Sequence, residues 1–372
     1  GFEGSQDYDL VLRYTAGLAE GNILHLPYPA YVWRRDGRSY SARFIKQATE
    51  AARKALGERY ATNGDPAPVG EATAGNLHRI RFDQMKRDWP EVSVIIPSRD
   101  QWTLISKTLA GLLNGTDYPS LEVIVVDNGS TDQAVLDLYA HYAQVNRRFR
   151  VIMREEPFNF SRSVNRGLDL ATGSMVLLLN NDIEVTAADW LKEMVSCMDY
   201  SGVGVVGAKL LYPDRKIQHA GVIVGFGHLA GHWYVGEAAD FPGPMGRLRV
   251  RQRFSAVTGA CMLISRECLR AVGRFDEEAF AIAYNDIDYC LRAGEAGYKV
   301  VWTPFATLIH HESASRGSDV VPEKIERFRR EQANLRKRHA TDVFEDRAIN
   351  PWFSKDRSNP IISKLTHLPG AR

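Results

Sequence analysis

Three polar side chains in a row, Asn180, Asn181 and Asp182, close the apolar run Met175-Val176-Leu177-Leu178-Leu179, and apolar residues return at Ile183. A run of that length bounded by Asn and Asp reads as a buried parallel strand rather than a helix. The triplet then stands at the carboxyl end of the strand, where open α/β sheets bind ligands. One carboxylate with amides beside it suits a hard divalent cation that carries phosphate oxygens. A strand that ends in a plain Asn/Asp turn fits the same residues. The rest of the chain tips the balance. After the first strongly apolar strand, residues 92–98, the sequence runs Arg99-Asp100-Gln101 without glycine. The glycine pattern of a dinucleotide-binding dehydrogenase is therefore missing, as is a Walker-type phosphate loop. A metal ion is the obvious substitute for such a loop, with Asp182 its first candidate ligand.

The elements that must position this triplet recur at regular spacing. Residues 92–98, 121–127 and 149–153 read as buried strands, and residues 102–113, 133–144 and 164–171 as helices. Ser130 or Thr131 would cap the second helix, and Gly173 closes the third. Strand and helix in alternation call for a parallel sheet with right-handed crossovers. The first 90 residues are poorer in strands. They read as a helix starting at 7–13, a short strand at 23–27, a helix at 41–60, a loop rich in Gly and Pro at 63–75, and a strand at 77–82. Near the other end, 322–339 reads as a basic helix whose Ile325, Phe328 and Leu335 pack on the core. That stripe is narrow for a membrane-surface helix.

Composition narrows the function classes. The chain has 372 residues, 44% of them apolar, and a net charge of +2. That is enough for a substantial core, and it gives no global electrostatic case for nucleic acid. Cys197, Cys261, Cys268 and Cys290 lack metal-site spacing and read as buried thiols in a reducing compartment. The reading expects no membrane span and no signal peptide. Since residue 1 is glycine, it also expects a chain processed or cut from a longer one.

In order along the chain, Val92 to Pro97, Val123 to Asp132 and Val176 to Asp182 resemble the nucleotide-sugar half of family 2 glycosyltransferases, which have the GT-A fold. Ala256-Val257-Thr258-Gly259-Ala260-Cys261 is similar to the acceptor-side strand of that family, and Asn285-Asp286-Ile287-Asp288 to its catalytic helix. His310-His311-Glu312-Ser313-Ala314-Ser315-Arg316-Gly317 resembles the closing motif of the bacterial polysaccharide branch, which includes rhamnosyltransferases. The resemblance implies an α/β chain with a mostly parallel nucleotide-binding sheet flanked by helices and a smaller acceptor-side sheet. It divides the chain into a GT-A domain at 91–317, a basic helix and tail at 318–372, and a first region at 1–90. That first region resembles the end of a preceding glycosyltransferase module.

Site residues follow from the same resemblance, one at a time. Asp127 matches the acid that meets the uracil or thymine ring, although a turn acid capping the next helix fits it too. Pro97 and Ser98 match the lining of base and ribose. Asn165 and Gly167 match the helix beside the donor, with a structural role for Asn165 equally open. Asn180 replaces the first acid of an Asp-x-Asp motif and keeps the capacity to bond a ribose hydroxyl. Asn181 stands beside it, and Asp182 remains as metal ligand for Mn2+ or Mg2+. His310 matches a late metal or diphosphate ligand; His311 competes, but neighbours in an extended segment face opposite ways. Arg316 matches a position that could neutralise the diphosphate, with an exposed loop arginine as the alternative. Asp286 matches the general base, its usual partner acid being Asn285 here, and Asp288 reads as a helix-surface acid.

Two segments stay in the second rank: Gln218-His219-Ala220-Gly221, and Ala230-Gly231-His232-Trp233. The alternating Arg247, Arg249, Arg251 and Arg253 read as a solvated strand face within a loop over the acceptor side. The implied activity is inverting, metal-dependent transfer of a sugar from a nucleoside diphosphate sugar, with dTDP-rhamnose or a UDP-sugar favoured. The acceptor is an oligosaccharide or lipid-linked glycan of a bacterial surface polysaccharide. The implied setting is cytoplasmic, with peripheral contact at the inner membrane face and other glycosyltransferase modules in the same polypeptide. The alternative is an inactive sugar-nucleotide or glycan-binding module, which the Asn180 and Asn285 replacements favour.

Overall fold

The computed structural model describes residues 2–24, 26–27, 44–62, 64–85, 88–312 and 322–355. The chain divides into one unit of residues 1–87 with 350–352, and a second of 88–349 with 353–372.

In the first unit, helix α1 (Gln6–Thr15) and helix α2 (Ile45–Arg59) accompany an antiparallel hairpin of β1 (Val69–Glu71) and β2 (His78–Ile80). Its small core gathers Ala52, Ala55, Leu56, Ile80 and Phe82. Tyr60 meets the Phe82 ring edge-on at 5.8 Å. The reading of 63–75 as loop overlooks β1, whose partner lies across a turn. Ile23 and Leu24 are not strand; His25 and residues 31–34 lie outside the described residues.

The second unit begins with the expected alternation. Strands β3 (Val92–Ser98), β4 (Leu121–Asp127) and β5 (Phe149–Met153) are separated by helices α3 (Trp102–Leu113) and α4 (Gln133–Val145). Helix α5 (Phe160–Leu170) then leads to β6 (Met175–Leu179). β6, β3, β4 and β5 are parallel neighbours in that order. Both faces are covered, so alternate residues of one strand enter different cores: Ile95 and Leu178 on one side, Val94, Ile96, Leu177 and Leu179 on the other. This is why these strands read as unbroken apolar runs. The cap of α4 is Asp132, which accepts from the Ala134 N–H, rather than Ser130 or Thr131. Helix α5 starts four residues earlier than the pattern suggests because Asn159 caps it.

Past β6 the sheet becomes mixed. It adds β7 (Ile183–Val185), β8 (Val203–Leu211), β9 (Ile217–His219), β12 (Gln252–Phe254), β13 (Cys261–Ser265) and β14 (Lys299–His310). The order is β12-β14-β8-β13-β6-β3-β4-β5, with β7 on β14 and β9 on β8. Strand β13 is antiparallel to both β6 and β8. A separate hairpin joins β10 (Val222–Val224) to β11 (Ala230–His232). Helices α6 (Trp190–Ser196), α7 (Arg266–Val272), α8 (Asn285–Glu295) and α9 (Pro322–His339) are the remaining α-helices among the described residues. Among the described residues, no helix is long and apolar enough to cross a membrane.

Of the arginines at 247–253, Arg253 is exposed as expected, but Arg247 and Arg251 turn into the fold. Arg251 is buried and pairs bidentately with Glu193, at 2.7 Å for each contact, and Thr303 donates to the same carboxylate. Arg247 lies over the Trp233 ring at 4.8 Å. A carboxylate interior to the fold draws the cation inward, and sequence spacing alone carries no sign of that.

Candidate active site

Strand β6 ends at Leu179, so Asn180-Asn181-Asp182 turns the chain at the carboxyl edge of the parallel sheet. The turn is tied to its neighbours. Asn180 donates its backbone N–H to the Ala260 carbonyl over 2.9 Å. Asn181 is buried and gives its amide N–H to Ser98 Oγ at 3.2 Å. The carbonyl of Asp182 accepts the backbone N–H of His311 at 3.0 Å, one step beyond the β7–β14 ladder, where His310 lies opposite Ile183.

That pairing separates the two histidines. His310 is buried, with Nε2 3.1 Å from Asp182 Oδ1 and 3.3 Å from Asn180 Nδ2. His311 faces away and meets Glu184 at 2.9 Å. The Asp182–His310 contact has an ion-pair distance but lacks hydrogen-bond alignment, and Oδ1 is buried without a hydrogen-bond donor. An orphaned carboxylate oxygen beside an imidazole nitrogen fits a divalent cation. No group of three or more His, Cys, Asp or Glu residues with metal-site geometry exists among the described residues. The donor set therefore suits an ion that takes its other ligands from substrate phosphates and water.

Asp286 stands in the first turn of α8, just after Tyr284, which takes a left-handed conformation at φ 61°. Its Oδ2 accepts the Gly259 N–H at 2.8 Å, and its Oδ1 the Ile287 N–H at 2.8 Å. A Cβ on Gly259 would lie 3.3 Å from the Asp286 Cβ, a tight contact that glycine avoids. Residues 259–260 thus bridge the two candidate groups: Gly259 holds Asp286, and Ala260 holds Asn180, whose amide faces His310. Helix α9 braces the same segment from behind. Glu331 accepts the backbone N–H groups of Ile282 and Ala283, each at 3.0 Å, and Phe328 stacks on Tyr284 at 5.7 Å.

Asp288 is not a surface acid. It is fully buried and meets Arg292, Arg338 and His339, each at 2.9 Å. Burial alone would raise its pKa, but contacts with His339, Arg292 and Arg338 outweigh that and hold it below its usual value. Two of those partners lie on α9, and Asp288 fastens that helix to α8.

Other expected residues are spent inside the fold. Asp127 has no exposed surface; its oxygens accept from Ser130 N at 2.6 Å, Ser130 Oγ at 2.5 Å and Tyr139 OH at 3.0 Å. Burial pushes the Tyr139 hydroxyl above its ordinary pKa, which keeps it a donor. Asn165 is consumed by Phe275 and Glu277: it donates to the Phe275 carbonyl at 2.9 Å and accepts its N–H at 3.0 Å. Gly167 is a packing position, since a Cβ there would lie 2.4 Å from Ile95 Cγ2. Pro97 and Ser98 end β3 at the same edge as the triplet, and both are buried. Arg316 lies outside the described residues.

Sequence reasoning missed Asp100 and left Gln218 and His219 in the second rank. Asp100 clamps the β3 and β4 loops by accepting from Thr131 N at 2.8 Å and Asp132 N at 3.0 Å, with itself and Gln101 at positive φ. Gln218 contacts His310, as taken up below. His219 is fully buried, with Nε2 3.4 Å from the Thr258 N–H and Nδ1 without a partner. Burial, with His232 and His310 nearby, holds its pKa well below the usual value. Its place in the segment Gln218-His219-Ala220-Gly221 was the available signal.

Comparison with known proteins agrees with this architecture. Residues 93–273 match the model of Glycosyl transferase family 2. The uncharacterized protein y4gI of Sinorhizobium fredii is 42% identical over 98% of this chain, which spans 40% of that protein. The O-antigen biosynthesis protein RfbC of Myxococcus xanthus is 37% identical over 87% of this chain, and the match covers 25% of RfbC. The chain thus spans well under half the length of these relatives. Among solved structures, GalNAc-T7 with UDP, GalNAc and Mn2+ superposes with a TM-score of 0.50 at 16% identity, covering 77% of this chain and 56% of that one. Residues 93–273 form a family 2 glycosyltransferase domain, and the chain has the GT-A fold.

Proposed function

We propose that this chain transfers a sugar, with inversion, from a nucleoside diphosphate sugar to a glycan acceptor in the assembly of a bacterial surface polysaccharide. The observation that carries the reading is the 259–260 bridge, which ties Asp286 and the Asp182–His310 pair to one backbone segment. In this reading, Asp286 takes the proton of the acceptor hydroxyl as that oxygen attacks the anomeric carbon from the side opposite the departing diphosphate. Asp182 and His310 would hold the divalent cation, and Asn180 a ribose hydroxyl. When bound, Mn2+ or Mg2+ supplies Lewis-acid stabilisation of diphosphate charge. Gly259 and the α9 brace fix where the Asp286 carboxylate stands.

The polysaccharide setting draws on the named role of RfbC and on the 310–317 motif. A dTDP- or UDP-linked sugar is the favoured donor. All four cysteines are buried free thiols, which suits the cytoplasmic side of the membrane. Residues 1–87 are proposed to be the remnant of a preceding module without an active site of its own.

Thermal-shift measurements with UDP, dTDP and GDP, each with and without Mn2+, test the donor side. Stabilisation by a pyrimidine nucleotide that requires the metal supports the proposal. Absence of any nucleotide effect contradicts it.

A further inference from the structure

Four side chains form a line from the surface to the candidate metal ligands. Glu312 is exposed and accepts from Gln218 Nε2 at 2.8 Å. Gln218 is 3% exposed and turns Oε1 toward His310 Nδ1 at 2.7 Å. His310 Nε2 then faces Asp182 Oδ1 at 3.1 Å.

Hydrogen-bond chemistry fixes every orientation in this line. A carboxylate only accepts, so Gln218 must present its NH2 to Glu312. Its carbonyl oxygen is what remains for His310, and that oxygen also only accepts. Nδ1 of His310 must therefore carry the hydrogen. In the neutral ring, Nε2 is left with its lone pair. That nitrogen lies 3.1 Å from a carboxylate oxygen that has no donor of its own and 3.3 Å from the Asn180 amide nitrogen; a cation relieves the first of these appositions.

We propose that Gln218 is a positioning residue which, oriented by Glu312, locks His310 in the Nδ1–H tautomer and so presents Nε2 to a divalent cation beside Asp182. The purpose rests on the reading of Asp182 and His310 as metal ligands; the tautomer stands on the hydrogen bonds alone. Groups that fix the far nitrogen of a ligating histidine change metal affinity about ten- to a hundredfold when removed.

The test uses the full chain with 15N-labelled histidines, free of metal, near pH 8, above the ordinary histidine range of about 6.5. Long-range proton–nitrogen spectra distinguish the tautomers, and the signals lost in His310→Gln assign the ring. Wild type is expected to show protonated Nδ1 and bare Nε2. Gln218→Leu should shift the ring toward Nε2–H. The Mn2+ concentration that broadens the His310 signals should then rise about ten- to a hundredfold. Gln218→Glu combined with Glu312→Gln keeps an acceptor for Nδ1–H and a donor behind it, and should restore the wild-type tautomer. That pair also covers the case in which Gln218→Leu fails to fold. An Nε2–H tautomer in wild type or in the swapped pair overturns the proposal. So does a Gln218→Leu protein with unchanged tautomer and unchanged broadening. Wild type with bare Nε2 whose His310 signals ignore Mn2+ overturns the metal reading, and with it the purpose, while upholding the tautomer assignment.

Discussion

Gly259 donates its backbone N–H to Oδ2 of Asp286 over 2.8 Å, and a Cβ at 259 would lie only 3.3 Å from the Asp286 Cβ. The proposed base is thus aimed by a backbone amide two residues before β13. A methyl group at 259 presses on the Asp286 Cβ and shifts the carboxylate that it carries by a few tenths of an ångström. Gly259→Ala should lower transfer about tenfold to a hundredfold by misplacing the base while leaving nucleotide affinity near wild type. Parallel loss of nucleotide binding would show that the change disturbs the donor side.

Asp288 should matter for stability rather than for chemistry. Removing one partner from a buried ionic cluster costs about 3–5 kcal/mol, and Asp288→Asn leaves Arg292, Arg338 and His339 facing a neutral amide. Urea denaturation should show that loss.

The same residue sets an acid sensitivity. Its pKa is depressed in the folded state, so its stabilisation is complete above the unfolded value of about 3.9 and is lost as pH falls below that toward the folded value. Wild type should lose more stability than Asp288→Asn between pH 5 and pH 3, two settings chosen to bracket about 3.9. An equal loss in both proteins would assign the acid sensitivity to other carboxylates.

The parallel half of the fold was legible because both faces of β3, β4 and β6 are buried, which writes apolar runs into the chain. The triplet at 180–182 and the order of the motifs were legible too. What escaped depends on distant partners. Asp288 looks like a helix-surface acid until Arg338 and His339 arrive from 50 and 51 residues away. Arg251 looks solvated until Glu193 is found inside. Gln218 acquires meaning only when β14 brings His310 beside it, 92 residues later. Asn165 and Gly167 carry motif identity, yet their surroundings use them for packing.

The histidine register can be checked at the metal. His310 Nε2 faces Asp182, whereas His311 pairs with Glu184. Calorimetric titration of nucleotide in the presence of Mn2+ should lose its signal in Asp182→Ala and after chelation, and keep it in His311→Ala. Sensitivity of His311→Ala alone would reverse the register, and indifference to both changes and to chelator would remove the metal from the account.

Glu331 should reveal whether α9 supports the base. Its carboxylate takes two backbone N–H groups just ahead of α8. Glu331→Gln can accept only one of them well, so about 1.5–3 kcal/mol of stability should go, the range for a hydrogen bond to a charged group. A melting temperature equal to wild type would mean that the brace carries no weight.

The central claim is that Asp286 accepts the acceptor proton, and the most direct measurement is the transfer rate of Asp286→Asn beside its nucleotide affinity. The amide keeps the shape and can still accept from Gly259 but cannot take a proton. Transfer should fall by about a hundredfold to ten-thousandfold, the usual contribution of a general base, with nucleotide affinity close to wild type. Transfer near the wild-type rate would contradict the account and leave the base unassigned, since Asp288 is fully buried against Arg292, Arg338 and His339.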